Sequence, residues 1–470
     1  MNKLIFPTLD LFVYQLRNGL GDNDEQIATN HTQFWQNLPD KIHVGLEREL
    51  EADNPQYTKL LELLEESIKK QSNISDNHYN FKYDIDKCNP YNLQGYYYPV
   101  RLDDTYGLLF DCSVDDLVNP QPISCFSNLA KQGTEEKGNI GKSWMISGVI
   151  PPDNQANLET LAKVAYKSLN NRECQNLEIG KFLGAKLFEA WKPPQKLQQI
   201  ETENIHVLVI LYPDLMVMKE AASFYGYWLR LLCSRNKIIW EYAYSQQITR
   251  ELQSEFKSIL DKVKTVKNIN YPNPKKKLSP KQLKTLQEIL TTSIGSLSEY
   301  VKKLSYLEIL ILAIKTNLNN YQKYLEDIEK KAKEKQLQDS KIGDTDLSCL
   351  KDFSEIVQQK YQAQVTQDYA SLNASLRIVE DLINTVRGIV EIEQTKSDRQ
   401  LNNTIAIAGV GLATSSLGSA VILAQKPNDY KQHIGYIGFR AEVFVLSLGI
   451  GAIAIILTMI IISIYRYFRS

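Results

Sequence analysis

Residues 279–328 read SPKQLKTLQEILTTSIGSLSEYVKKLSYLEILILAIKTNLNNYQKYLEDI, and their spacing decides the longest part of the fold. Leu283, Leu286, Leu290, Ser293, Leu297, Tyr300, Leu304, Leu307, Ile311, Ile314, Leu318, Tyr321, Leu325 and Ile328 alternate steps of three and four, with Ser293 the one polar member. That repeat puts the whole set on one helical face and specifies a coiled-coil seam. Ser279-Pro280 is a start signal, with proline in the first turn. Residues 339–348, which include Gly343, end the arm.

A second seam follows at Val365, Tyr369, Leu372, Leu376, Val379, Ile383, Val386 and Val390. Two arms of about 50 residues, at roughly 1.5 Å each, make an antiparallel hairpin about 75 Å long. Leu297, Leu304, Ile311 and Leu318 on the first arm and Leu376, Ile383 and Val390 on the second are expected to carry the pairing.

Outward toward the N-terminus, the proline- and lysine-rich stretch 268–280 (NINYPNPKKKLSP) is the clearest boundary in the chain. Before it, residues 1–267 alternate strand-like and helix-like patterns. Residues 94–114 predict a β-hairpin around Asp103-Asp104, and residues 142–150, 184–191 and 206–212 predict strands. Residues 155–169, 221–233 and 248–263 predict helices, and residues 237–244 (KIIWEYAY) a further strand. The expectation is an α/β head with a mixed sheet.

Outward toward the C-terminus, residues 405–424 and 443–465 are apolar stretches without a charged side chain, separated by 18 residues. A bilayer core about 30 Å thick needs roughly 20 apolar helical residues to cross it. The sequence therefore predicts a two-helix membrane hairpin within residues 404–470. The full expectation is an α/β head (1–267), a linker (268–280), a coiled-coil hairpin stalk (281–403) and two spans. Thr404, Ala408, Gly411, Ser415 and Ser419 form a small-residue stripe suited to helix packing or to lining a pore.

Composition narrows the function classes. The chain has 470 residues, 54 Lys and Arg against 55 Asp and Glu, and a formal net charge of −1, so nothing global points to nucleic acid. Six cysteines lie far apart without a CxxC pair, which reads as reduced thiols. Residues 1–12 are a broken apolar run interrupted by Pro7 and Asp10, unlike a cleavable signal. Head and tail are therefore expected in the cytoplasm.

The layout resembles the CorA-type magnesium channel superfamily in its α/β domain, its long helix feeding a first span and its two C-terminal spans. The resemblance implies a homo-oligomeric ring and cation conduction. It departs at the family's Gly-Met-Asn motif, where this chain reads Ala424-Gln425-Lys426-Pro427-Asn428.

Catalytic signatures are not evident. Gly138–Ser143 ends like a phosphate loop, but Glu136 stands where the first glycine is required and a strand follows instead of a helix. His31, His43, His78, His206 and His433 are scattered without metal-ligand spacing, and His206 reads as a core or edge residue. No catalytic residue, cofactor site or metal site is expected. The functional expectation is a non-enzymatic, membrane-anchored oligomeric sensor, adaptor or effector, suited to a bacterial stress or conflict response. Its partners would be the lipid bilayer, copies of itself and a protein met through the head. The alternative is a CorA-like cation channel.

Overall fold

A 14-residue strand, β1 (Lys3–Leu16), forms the middle of the fold. Leu9, Leu11 and Val13 point to one side and Thr8, Asp10, Phe12 and Tyr14 to the other, as strand periodicity requires. Pro7 has no N–H to give a ladder, and the register against β6 (Gly141–Val149) slips between Ile5 and Thr8 to accommodate it. The run that looks broken in the sequence is thus a bulged central strand. The computed structural model describes residues 2–19, 22–38, 79–83, 90–133, 137–152, 157–174, 177–192, 204–267 and 278–395.

The remaining strands are β2 (Tyr79–Tyr83), β3 (Leu93–Leu102), β4 (Thr105–Val114), the short β5 (Gln121–Pro122), β7 (Glu178–Phe182), β8 (Ala185–Lys192) and β9 (Ile205–Tyr212). The sheet order is β2-β3-β4-β1-β6-β9-β8-β7, with β5 on β1. Described neighbours pair antiparallel except β6 and β9, which are parallel. Asp103, at φ 53°, makes the two-residue turn between β3 and β4 in a left-handed conformation that aspartate tolerates.

Helices α1 (Asp24–Trp35), α2 (Phe126–Gly133) and α3 (Leu158–Asn170) supply Phe34, Phe126, Leu129, Leu161 and Ala165 to the core. These meet Leu9, Leu11, Phe110, Ile146 and Val209 from the sheet. Asn157 caps α3 by accepting from the amides of Glu159 and Thr160. Helix α4 (Leu215–Ala221) follows β9. The other sheet face meets α5 (Tyr225–Lys267), a single helix of 43 residues. The strand expected at 237–244 lies inside it. Its aromatic and β-branched content favours a strand locally, but Ile238, Ile239, Glu241 and Ala243 are all buried here. A segment buried on nearly every side is decided by tertiary packing.

Helix α6 (Pro280–Gln338) starts where the sequence places it. Ser279 and Gln282 form a capping box, each side chain accepting from the other's amide. Helix α7 (Ser348–Ile356), a π-helical turn (Val357–Gln362) and α8 (Ala363–Thr395) follow.

Two compact units divide the chain: Met1–Tyr244 with Ile314–Gln362, and Ser245–Ala313 with the chain from Ala363 onward. The second unit's core joins Ile259 and Val266 of α5 to Leu286, Leu290 and Leu297 of α6 and to Val379, Ile383, Val386 and Val390 of α8. Where a two-arm hairpin was expected, three helices share the core.

The membrane architecture requires correction. No described helix is long and apolar enough to cross a membrane. That finding overturns the fold class with a C-terminal transmembrane hairpin, the multi-pass membrane localisation and the ion-channel character. The long helices carry charge along their length; α6 alone includes Lys302, Lys303, Lys315, Glu326, Asp327 and Lys330. Residues 405–424 and 443–465, on which the expectation rested, lie outside the described residues, as do Thr404, Ala408, Gly411, Ser415 and Ser419.

Candidate functional site

The sheet face beneath α5 carries polar groups that a folded core ordinarily excludes. Ser143 of β6, His206 of β9 and Glu189 of β8 are 0%, 1% and 6% exposed. Strand register brings them together, since Trp144 pairs with Val207 and Leu208 with Glu189. Ser143 Oγ lies 2.9 Å from His206 Nδ1, and His206 Nε2 lies 3.0 Å from Glu189 Oε1. Arg235 and Asn236 of α5 close the cluster. Arg235 Nη2 donates to Glu189 Oε1 at 3.0 Å, and Asn236 Nδ2 donates to Ser143 Oγ at 2.9 Å. Asn204 Nδ2 in turn donates to Asn236 Oδ1 at 3.1 Å.

These contacts fix the protons. Glu189, held as a carboxylate, can only accept, so His206 Nε2 carries the ring proton and Nδ1 of the neutral imidazole accepts from the Ser143 hydroxyl. Burial, aided by the Arg235 charge, pushes His206 down to about 4, which keeps the ring neutral. Burial works to raise the Glu189 carboxyl, but the hydrogen bond from His206 and the charge of Arg235 outweigh it and hold it below the ordinary range. The close approach of Asn236 needs Gly141, whose φ is 139° and whose added Cβ would lie 2.6 Å from Asn236 Oδ1.

Serine, histidine and carboxylate in this order are the parts of a nucleophilic hydrolase. Here the set is sealed. A nucleophile has to be met by a carbonyl carbon, and Ser143 has no exposed surface.

A second cluster joins β1, β4 and α5. Asp10 lies directly opposite Asp111, and Tyr96 of β3 continues the row. Tyr225 donates its hydroxyl to Asp10 Oδ2 at 2.8 Å, and the carboxyls of Asp10 and Asp111 hydrogen-bond to each other. Burial raises both carboxyls; the facing Asp111 charge adds to the rise at Asp10, and Asp111 moves up to about 7. Two like charges this close and this buried do not ionise together, so the pair keeps one proton near neutral pH.

A third contact ties the β3–β4 turn to α5, through Lys237 Nζ and Asp104 Oδ1 at 2.6 Å. Nearby, Asn317 Nδ2 donates to Glu241 Oε1 at 2.7 Å, and burial pushes the Glu241 carboxyl up to about 8.

Among the described residues no group of three or more His, Cys, Asp or Glu is arranged to hold a metal ion. Of the seam residues, Leu297, Ile383 and Val390 meet in the second unit's core. Leu304 and Leu318 are also buried, whereas Ile311 and Leu376 are half-buried. Leu318 falls in the first unit and Leu304 in the second, so one sequence stripe serves both units. Sequence reasoning passed over Asp10, Asp111, Glu189 and Arg235. The usable signal at Asp10 was its phase with Thr8, Phe12 and Tyr14 along one strand face. Compared with known proteins, the chain matches no family model, no curated protein and no solved structure.

Proposed function

We propose that the chain is a non-enzymatic sensor or adaptor: its α/β unit binds a ligand or protein partner, and its helical unit organises copies of the chain. The observation that carries this reading is the closure of the polar clusters. Ser143, His206, Glu189 and Asp10, the groups with nucleophile, base or acid chemistry, are all under 10% exposed and sit beneath α5. Buried networks of this kind rigidify a core and specify its arrangement. The same helix supplies Ile259 and Val266 to the second unit.

Self-assembly has its own support on α8. Ile378 and Ile392 are 50% and 53% exposed and stand two heptads apart on one helical stripe. Light scattering of the purified full-length chain tests the assembly, with a discrete oligomer as the expected result. A single-protomer mass at every concentration would remove it. Turnover of any substrate in an ester and amide panel, lost in Ser143→Ala, would overturn the non-enzymatic reading.

A further inference from the structure

The helix that leads into α8 carries one residue more than its packing repeat allows. Before and within the π-helical turn the buried positions step by four and three, through Leu350, Ser354, Val357 and Tyr361. From Val365 the same steps resume through Tyr369 to Leu372. Between Tyr361 and Val365 the step is four where three is due. The π-turn Val357–Gln362 absorbs the extra residue, since its wider turn holds one residue more than an α-turn. Without it, every position from Val365 on would turn away from the core by about 100°. Tyr361 is held in the turn by stacking on Tyr242, with ring centroids 4.0 Å apart and planes at 8°.

One residue before the buried stripe of α8 runs a second stripe. Ile378, Leu382, Thr385, Ile389 and Ile392 keep the same steps of four and three. Ile378 and Ile392 are exposed, while Leu382 and Ile389 are half-buried against the core that holds Val379, Ile383, Val386 and Val390. The offset between the stripes is the one residue that the π-turn stores. Nearer the turn the second stripe is polar, passing through Gln364, Asp368, Ser371 and Ser375. Asp368 accepts from Gln246 at 3.1 Å and from Gln364 at 2.8 Å. These groups resist burial, which makes the observed register the resting one.

We infer that the π-turn is a register switch for α8. When it relaxes to an α-turn, α8 rotates about its own axis by one residue. Ile378, Leu382, Ile389 and Ile392 then enter the core, and Val379, Ile383, Val386 and Val390 face outward. Close-packed helices move between discrete registers because intermediate angles leave their side chains unmatched. The switch exchanges one apolar surface of α8 for another, and it stands whether or not copies of the chain assemble there.

Val379→Cys in the full-length chain reports the switch through its rate of maleimide labelling, read on its own peptide by mass spectrometry. In the resting register the thiol is buried and labelling is slow. Asp368→Leu with Ser375→Leu makes the second stripe apolar toward the turn and should speed labelling about tenfold or more. Deleting Gln359, an exposed residue of the π-turn, removes the stored residue and leaves only the resting register. Added to the double substitution, the deletion should return labelling to the slow rate. If the double substitution lowers helix content by circular dichroism, Ser375→Leu alone makes the same comparison. Two results would overturn the switch. Labelling that never accelerates makes the π-turn a fixed phase correction, and acceleration that survives the deletion is local melting of α8.

Discussion

In the α/β unit, Asp10, Ser143, Glu189, His206 and Arg235 are buried in clusters that include side-chain partners from different strands and from α5. In the helical unit, the shared core is chiefly apolar, built from Ile259, Val266, Leu286, Leu290, Leu297, Val379, Ile383, Val386 and Val390, with Ser293 buried in the same seam and the Tyr300 hydroxyl donating to the Leu372 carbonyl. Its ion pairs sit nearer the margin, where Lys303 lies 2.9 Å from Glu251 and 2.6 Å from Glu255. The contrast separates two ways of specifying structure. Partnered polar groups penalise every arrangement but one, because a mismatch strands a charge. An apolar repeat supplies burial at many registers, so its alignment depends on a few contacts such as these.

The largest effect should come from breaking a charge cluster. Glu189→Ala leaves Arg235 buried without its carboxylate and His206 Nε2 without its acceptor. A loss of about 3–5 kcal/mol is expected from urea unfolding. A loss under about 1 kcal/mol would mean that Arg235 finds another partner, and the contrast between the units would lose its main support.

Leu304→Pro probes the other side. Leu304 is 5% exposed inside α6, and proline there removes a backbone bond and kinks the helix at about 3 kcal/mol. Hydrogen exchange should show protection lost over 245–313 and 363–395 while β1, β6 and β9 keep theirs. Equal loss in both places would show that the two units unfold as one.

A subtler separation uses pH. Asp111 titrates at about 7 folded against 3.8 as a free side chain, so the folded state holds its proton longer and stability falls as pH rises through that window. His206 stays neutral down to about 4 against 6.5, so its contribution is lost as pH falls from 6.5 toward 4. Asp10 and Glu241, also raised, add to the first slope, and His206 opposes it. In Asp111→Asn the contribution of Asp111 to the carboxyl slope disappears, while those of Glu241 and His206 stay. The variant should therefore gain stability relative to wild type between pH 4.5 and pH 7, measured as a difference in thermal midpoint. A constant difference would mean that Asp10 and Asp111 do not share a proton.

The same contrast explains what could be read in advance. The seam of α6 was legible because its spacing is local, and 206–212 because a continuous apolar run marks a strand in mid-sheet. The clusters were not, since 63 residues separate Ser143 from His206 and 46 separate Glu189 from Arg235. Such neighbours exist only once sheet register is set. Residues 237–244 misled because strand propensity there yields to burial between the sheet and other helices. Pro7 and Asp10 hid β1, the first through a bulge and the second through a partner on β4. The membrane expectation rested on stretches outside the described residues, and the described helices, with their regular charges, give it no span.

The smallest effect is the most local. Ser293 interrupts the seam, is 1% exposed, and its hydroxyl has no partner. Ser293→Ala removes a buried unpaired group and should stabilise the helical unit by up to about 1 kcal/mol, read from the thermal midpoint. Ser293→Leu makes the same removal and adds volume that either fills the seam or overpacks it. If leucine exceeds alanine, the three helices leave room at this level, and serine there loosens the bundle. If leucine falls below alanine, the helices already close tightly around a small side chain. The helical unit would then be specified by shape at that one level, much as the α/β unit is specified by its hydrogen bonds.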